Sequence, residues 1–434
     1  MHESIIQNLT EQFKQYNWSR KDLLMALFDN WELKNIYQNE IRRATIIWHI
    51  ANEVLIRTGN TNLCKILAIG DIQYFDELST EWQHLVQSSL SQIHTPKLQW
   101  YDLGGLWTSE LRSSITKYMA HYYDFSLLET LVENEIIPSY GGTDSFVTIL
   151  NTLKLLAKWA PINFIYPEAS FLANVKIAEL FLSKENCVKM TKPSPRDFFC
   201  SLEQVEWLYK DRVHISDMNI FYVTPVGNPT GNKIGNENLY QILKWIHTRD
   251  PNAIFILDNV YVGLLPDTES HKLFANIFAD SSLMQRIIFT ESISKTLGTT
   301  GIRLGWTWTL NQTFSSELKK YTTLTKAGFS KLLDEFALQL LGNPDIFAFQ
   351  RQVYEFWSHQ RLSFLAHMKT QFSELFDFDS SPSISDREGI YVLLKIQGNR
   401  PKEEIFALTG IVGVGITLSD GNYIRYAFGN VKYF

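Results

Sequence analysis

The stretch Thr290-Glu-Ser-Ile-Ser-Lys295-Thr-Leu-Gly-Thr-Thr-Gly301-Ile-Arg303-Leu-Gly305-Trp306 sets one lysine between two hydroxyl residues, Ser292 and Ser294, and a run punctuated by glycines. The apolar run Ile287-Ile288-Phe289 just before it reads as a buried strand. Gly298, Gly301 and Gly305 then permit turns and close approaches that a β-carbon would obstruct. A lone lysine is most often a solvated surface charge. At the mouth of a buried strand it is also a candidate nucleophile, because desolvation disfavours a charged ammonium. Ser292 lies three positions before Lys295 and Arg303 eight after it. A hydroxyl and a bidentate guanidinium at those places could together hold a phosphate.

S-x-S-K followed by G-x-R-x-G resembles the lysine motif of the class I/II aminotransferases, the fold-type I pyridoxal phosphate-dependent enzymes. The resemblance implies that Lys295 forms a Schiff base with pyridoxal 5'-phosphate, and that Ser292 and Arg303 bind the cofactor's phosphate. It gains weight from what lies elsewhere in the chain.

At 434 residues the chain is long enough for two domains or for one large α/β unit with a smaller one appended. A hydrophobic fraction of 45% beside 20% charged residues is that of a globular protein. The formal net charge of −6 disfavours a nucleic-acid binder or an anionic-membrane binder, both of which need a basic surface. Cys64, Cys187 and Cys200 have no C-x-x-C spacing and suggest neither zinc nor a disulfide framework, so no metal is expected. No signal-peptide core and no membrane-length apolar run is found, and a cytoplasmic location is the expectation.

Along the chain, Ile5–Tyr16, Lys21–Leu33 and Asn35–Arg57 show apolar residues at helical spacing, with Ser19 placed to cap the second segment. Seven acidic and seven basic residues balance within 1–60, which argues against a DNA-binding module there. Ile66-Leu-Ala-Ile-Gly70 reads as a strand and turn; the resemblance implies that Gly70 lies near the substrate. Residues 80–94 read as a helix. Trp100-Tyr101-Asp-Leu-Gly-Gly105 follows, and there the resemblance, with its spacing drifted by about a residue, assigns Tyr101 to the phosphate of the neighbouring subunit.

Ser139-Tyr-Gly141-Gly142-Thr143-Asp144 opens the apolar helix Phe146–Leu155. Glycine turns before helices are common, yet a helix start exposes backbone N–H groups that bind anions. The resemblance assigns Gly142 and Thr143 to the cofactor phosphate. After the strand Asn163–Tyr166, Phe171 is either a core residue or, as the resemblance implies, the ring stacked on the cofactor. Asn219–Thr224 is a β run leading to Asn228-Pro-Thr-Gly231 and the helix Asn236–His247. Those four residues are good turn formers; after a strand they also lie where α/β proteins bind ligands. The resemblance assigns Asn228 to the cofactor's ring oxygen and to the substrate side of the site. Ala253–Leu257 ends in Asp258-Asn-Val-Tyr261. Asp258 could cap a turn, but a carboxylate behind five apolar residues is costly unless paired, and a protonated pyridine nitrogen would pair it. With Tyr261 it matches the family's D-x-x-Y.

Beyond Trp308, helical periodicity runs through roughly 312–341 and 345–375, followed by strands at Gly389–Ile396 and Ile411–Thr417. Arg425, in Asn422-Tyr-Ile-Arg425-Tyr-Ala-Phe428, is either a solvent-facing strand arginine or, by the resemblance, the group that grips the substrate α-carboxylate. The chain stops nine residues after Arg425, so the family's closing helix is expected to be missing and an N-terminal helix to cover the surface it would cover.

The pieces lie in the family's order over about residues 66–428. The expected fold is α/β, with a mostly parallel central sheet, helices on both faces and a smaller α+β domain. Its expected divisions are 1–65 (helical extension and part of the small domain), 66–310 (large cofactor-binding domain) and 311–434 (small domain). The expected function is an aminotransferase acting on an L-amino acid, with Lys295 also serving as base and a 2-oxo acid as acceptor. A lyase, replacement enzyme or cyclase on a specialised amino acid is the alternative. The resemblance further implies a homodimer, and the charge balance and the lack of a membrane-length apolar run leave neither nucleic acid nor membrane as an expected partner.

Overall fold

A computed structural model describes residues 2–37, 39–68, 76–93, 106–123, 128, 133–158, 160–191, 201–215, 217–265, 267–381 and 389–428. Two compact units emerge. The smaller comprises Met1–Gln73, Pro229–Gly231 and Trp357–Phe434; the larger comprises Tyr74–Asn228 and Asn232–Phe356.

The larger unit is built on a seven-stranded sheet. From edge to edge its strands are Ile137–Ser139, Gly305–Trp308, Ile287–Ser292, Ile254–Asp258, Met218–Val223, Ile162–Pro167 and Cys187–Met190. Gly305–Trp308 runs antiparallel to both its neighbours, and every other pairing is parallel. Both faces are covered, which is why these strands read as nearly unbroken apolar runs. On one face Ile220, Tyr222, Ile256 and Ile288 pack with Phe146, Ile149 and Val175 from the helices Gly142–Ala157 and Leu172–Leu182. On the other, Phe221, Phe289 and Trp308 meet Tyr209, Phe274 and Phe278; the rings of Phe289 and Trp308 stack 4.0 Å apart. Each such side chain removed from water contributes roughly 1.5–3 kcal/mol.

In the smaller unit, four antiparallel strands lie in the order Val414–Leu418, Gly421–Ala427, Tyr391–Ile396 and Phe376–Asp377. Lys65–Ile66 pairs in parallel with Ile411–Val412, so both chain ends build it. The helix His2–Gln15 packs on Glu40–Arg57, and Arg20–Asp29 packs on Lys402–Thr409. Ser19 forms a full capping box with Asp22. The helices expected over 21–33 and 35–57 are instead three, Arg20–Asp29, Trp31–Ile36 and Glu40–Arg57. Asn30 and Asn39 break them: each turns its side chain onto the backbone N–H three residues on and so starts a new helix.

The boundary expected near residue 310 differs from this partition. Gln312–Lys326 packs on the helix Gly142–Ala157 and Lys331–Leu341 on Ser109–Tyr123, so both belong to the larger unit. Lys326 pairs with Asp144, and Lys319 with Glu135 at 3.0 Å. Helical periodicity reports an apolar face and not the surface that receives it.

Candidate active site

Because all but one strand of the large sheet point the same way, their carboxyl ends share one edge, where open α/β sheets bind ligands. The turn after Ser139 carries Gly142 and Thr143, and the turn after Pro167 carries Phe171. Asn228 follows Val223, Asp258 ends its strand, and Lys295 follows Ser292. Arg303 precedes the antiparallel strand, whose start lies at that same edge. The six segments singled out in the sequence therefore converge on one rim. Gly70 and Tyr101 lie outside the described residues.

At the glycine turn, Gly141 has φ +88° and begins the helix Gly142–Ala157. A β-carbon there would come within 2.8 Å of Arg303 Nη2, so the glycine is what lets this guanidinium lie against the helix start. Gly305 is equally constrained: its β-carbon would meet the Gly141 backbone at 2.8 Å. Arg303 donates to Thr300 O at 3.0 Å and Tyr140 O at 3.2 Å, both neutral acceptors. Asp144 accepts from Tyr140 N at 2.9 Å and pairs with Lys326, which fixes the first turn of the helix. Ser292 Oγ donates to Leu304 O at 2.8 Å and lies 2.7 Å from Ser294 Oγ. Lys295 is half-buried on the short helix Ile293–Thr296, which contacts the turn Val262–Leu264 just after Tyr261.

Asp258 is buried, and burial pushes its carboxyl up to about 6, opposed by hydrogen bonds from Tyr222 and the Val260 N–H. Its Oδ2 accepts from Tyr222 OH at 2.6 Å and from Asn174 Nδ2 at 3.3 Å. Asn228 Nδ2 donates to Tyr261 OH at 3.0 Å, joining two residues 33 positions apart. Phe171 is half-buried just before the helix Leu172–Leu182 and is not part of the packed cluster beneath it. In the smaller unit Arg425 is buried, donates to Ala68 O at 2.7 Å and lies 4.9 Å over the Tyr391 ring. The solvent-facing alternative for this residue is excluded.

The fold also brings together groups that the sequence did not flag. Asn174 and Tyr222 are two. On the opposite face of the sheet, Glu291 is buried and accepts from Tyr123 OH and Trp308 Nε1, each at 2.8 Å. Asn259 Nδ2 donates to the same Tyr123 OH at 2.8 Å. Burial pushes Glu291 up to about 7. A charged residue inside an otherwise apolar strand was the available signal for Glu291; Asn174 and Tyr222 had none.

A sequence model of the family "Aminotransferase class I and II" matches residues 107–424. A kynurenine–oxoglutarate transaminase of Dictyostelium discoideum is 24% identical over 205 residues, covering 46% of this chain and 43% of that protein. A probable LL-diaminopimelate aminotransferase of Oryza sativa subsp. japonica, described as chloroplastic, is 35% identical over 88 residues, 20% of this chain and 18% of that one. The matched stretches thus span less than half the length of these relatives. An aromatic aminotransferase from Pyrococcus horikoshii superposes with a TM-score of 0.66 at 16% identity, covering 85% of this chain and 91% of that one. At that identity the likeness is one of fold, which is the fold-type I architecture. No described helix is long and apolar enough to cross a membrane.

Proposed function

We propose that this chain, which belongs to the class I and II aminotransferase family, is a pyridoxal 5'-phosphate-dependent aminotransferase that moves an amino group from an L-amino acid to a 2-oxo acid. The observation that carries the reading is Asp258, a carboxylate buried at a strand end among neutral partners. Such a group needs a cationic neighbour, and the protonated ring nitrogen of the cofactor is a chemically matched one. Arg303 beside a helix start supports a phosphate site, because its guanidinium is held by carbonyls and keeps its charge uncompensated by them. A half-buried lysine on the same rim supports a covalent link to an aldehyde.

When bound, the cofactor supplies the electron sink that makes the substrate's Cα proton acidic. In this reading Gly142, Thr143, Ser292 and Arg303 hold the phosphate. Phe171 would pack against the cofactor ring, and Asn228 and Tyr261 would serve as donors to its phenolic oxygen. Asp258 keeps the ring nitrogen protonated. Lys295, half-buried on the rim, would hold the cofactor's aldehyde carbon and would serve as the base for the substrate's Cα proton. Arg425 binds the substrate carboxylate, since a planar guanidinium suits two parallel hydrogen bonds. The family resemblance supports a role for Gly70 at the substrate and for Tyr101 at the phosphate of a neighbouring subunit, in a cytoplasmic homodimer.

The test is direct. Purified protein mixed with pyridoxal 5'-phosphate should gain visible absorbance, and borohydride should then fix the cofactor to Lys295. On a panel of amino acids, a 2-oxo acid and the pyridoxamine form of the cofactor should accumulate together. A protein that stays colourless refutes the cofactor. Ammonia or a cyclised product released without an amino acceptor refutes transamination in favour of elimination or cyclisation.

A further inference from the structure

Asn174, Tyr222 and Asp258 come from a helix and two adjacent strands, and they form one directed chain of hydrogen bonds. Asn174 Nδ2 donates to Tyr222 OH at 3.0 Å, and that hydroxyl donates its only proton to Asp258 Oδ2 at 2.6 Å. The second amide hydrogen of Asn174 also reaches Oδ2, at 3.3 Å. The direction is forced. A hydroxyl that gives its proton to a carboxylate can only accept from a third group, so the amide must present nitrogen to both. Among the described residues Asn174 Oδ1 consequently has no hydrogen-bond partner, although the residue is buried. Leaving an acceptor unmatched is a cost that packing alone does not ask for.

The register explains how the strands achieve this. Tyr222 stands opposite Ile256, so it shares a face with Asp258 two residues further on, and its long ring spans the diagonal. The ring is fully buried against Phe146 and Phe164 at 5.3 and 5.8 Å, which leaves the hydroxyl little freedom. Asp258 Oδ1, by contrast, has among the described residues only a long 3.4 Å contact from the Val260 N–H.

Resting on the cofactor reading above, we propose that Tyr222 and Asn174 are positioning residues of the ring-nitrogen site: they occupy Asp258 Oδ2 and leave Oδ1 as the acceptor for the pyridinium N–H. Donating to one oxygen also stabilises the ionised carboxylate, the form that a pyridinium requires. Neither residue touches the reacting atoms. Both act through Asp258.

Two ligands separate this role from a merely structural one: pyridoxal 5'-phosphate, and its 1-deaza analogue, which has carbon at the ring-nitrogen position and cannot use Asp258 as a hydrogen-bond acceptor. Affinities are measured on cofactor-free wild type, Tyr222→Phe and Asn174→Ala by equilibrium titration of fluorescence and absorbance. Each variant should bind pyridoxal 5'-phosphate roughly 10–100-fold more weakly, while its affinity for the deaza analogue changes less than about 3-fold, the range expected when an outer residue orients a ligating one. Equal losses for both ligands, or no loss for either, would overturn the proposal alone. Wild-type protein that takes up neither ligand would overturn the cofactor reading, and this proposal with it. Asn174→Ala carries the comparison if Tyr222→Phe does not fold, because it leaves the aromatic core untouched.

Discussion

Replacing Glu291 with glutamine removes a buried charge and keeps nearly all of the side chain's shape. Oε1 accepts from Tyr123 OH and Trp308 Nε1, and an amide oxygen can accept the same two bonds. Burial raises this carboxyl from an ordinary value of 4.5 to about 7, with the two hydrogen bonds opposing the rise. The unfolded chain therefore gives up the proton near its ordinary value and the folded chain only near neutrality. A folded-state pKa that is raised contributes stability that is complete in acid and is lost as pH climbs through about 7. Over the ~1.5 pH units between about pH 5.5 and 7, at roughly 1.4 kcal/mol per unit, this group costs the native state about 2 kcal/mol. Glutamine does not titrate. The stability of Glu291→Gln relative to wild type should thus rise by about 2 kcal/mol between about pH 5.5 and pH 8. Burial also raises Asp258, with a slope of the same sign, but that residue is present in both proteins and cancels. Urea unfolding of both proteins without added cofactor, compared at equal m, reads the difference. A difference that does not change with pH would refute the reasoning, since it would mean that Glu291 is ionised or hydrated in the native state.

Other substitutions probe the rim and the smaller unit. Lys295→Ala should lower turnover by at least about 10²–10⁴-fold and abolish borohydride fixation, with circular dichroism unchanged. Gly141→Ala places a β-carbon 2.8 Å from Arg303 at φ +88°; it should cost about 1–3 kcal/mol of stability and weaken cofactor binding, both read by thermal melts with and without cofactor. Arg425→Lys keeps the charge but loses the planar fork, and should raise KM for the amino acid about 10–100-fold, with a smaller effect on kcat in steady-state assays. Deleting residues 1–30 uncovers partners of the buried Ile5, Leu9, Leu24, Leu27 and Phe28, whose ring meets Phe406 at 5.6 Å. The truncated protein should be markedly less stable in urea; an unchanged midpoint would show that these helices are dispensable.

How far the chain could be read before folding depended on the range over which each feature is encoded. The lysine motif, the glycine turns and the residues at strand ends are local patterns, and local chemistry dictates them. An apolar run forms a strand covered on both faces, a glycine permits φ +88°, and an asparagine caps the helix three residues on. Parallel strands then carry their ends to one edge, so the convergence of Gly142, Phe171, Asn228, Asp258, Lys295 and Arg303 followed from order and direction alone.

Tertiary structure decided what no window of sequence contains. Asn174 reaches Asp258 across 84 positions, and Tyr123 reaches Glu291 across 168. The helices 312–341 joined the larger unit because of the surface opposite them, not because of their own pattern. Arg425 turned inward for a related reason: strand alternation offers two faces, and only the packed neighbours, here Tyr391 and the Ala68 carbonyl, determine which one is buried. Periodicity fixes how a segment folds upon itself. Its partners are chosen by shape, burial and hydrogen-bond satisfaction summed over the whole chain, and those quantities exist only once the chain has closed.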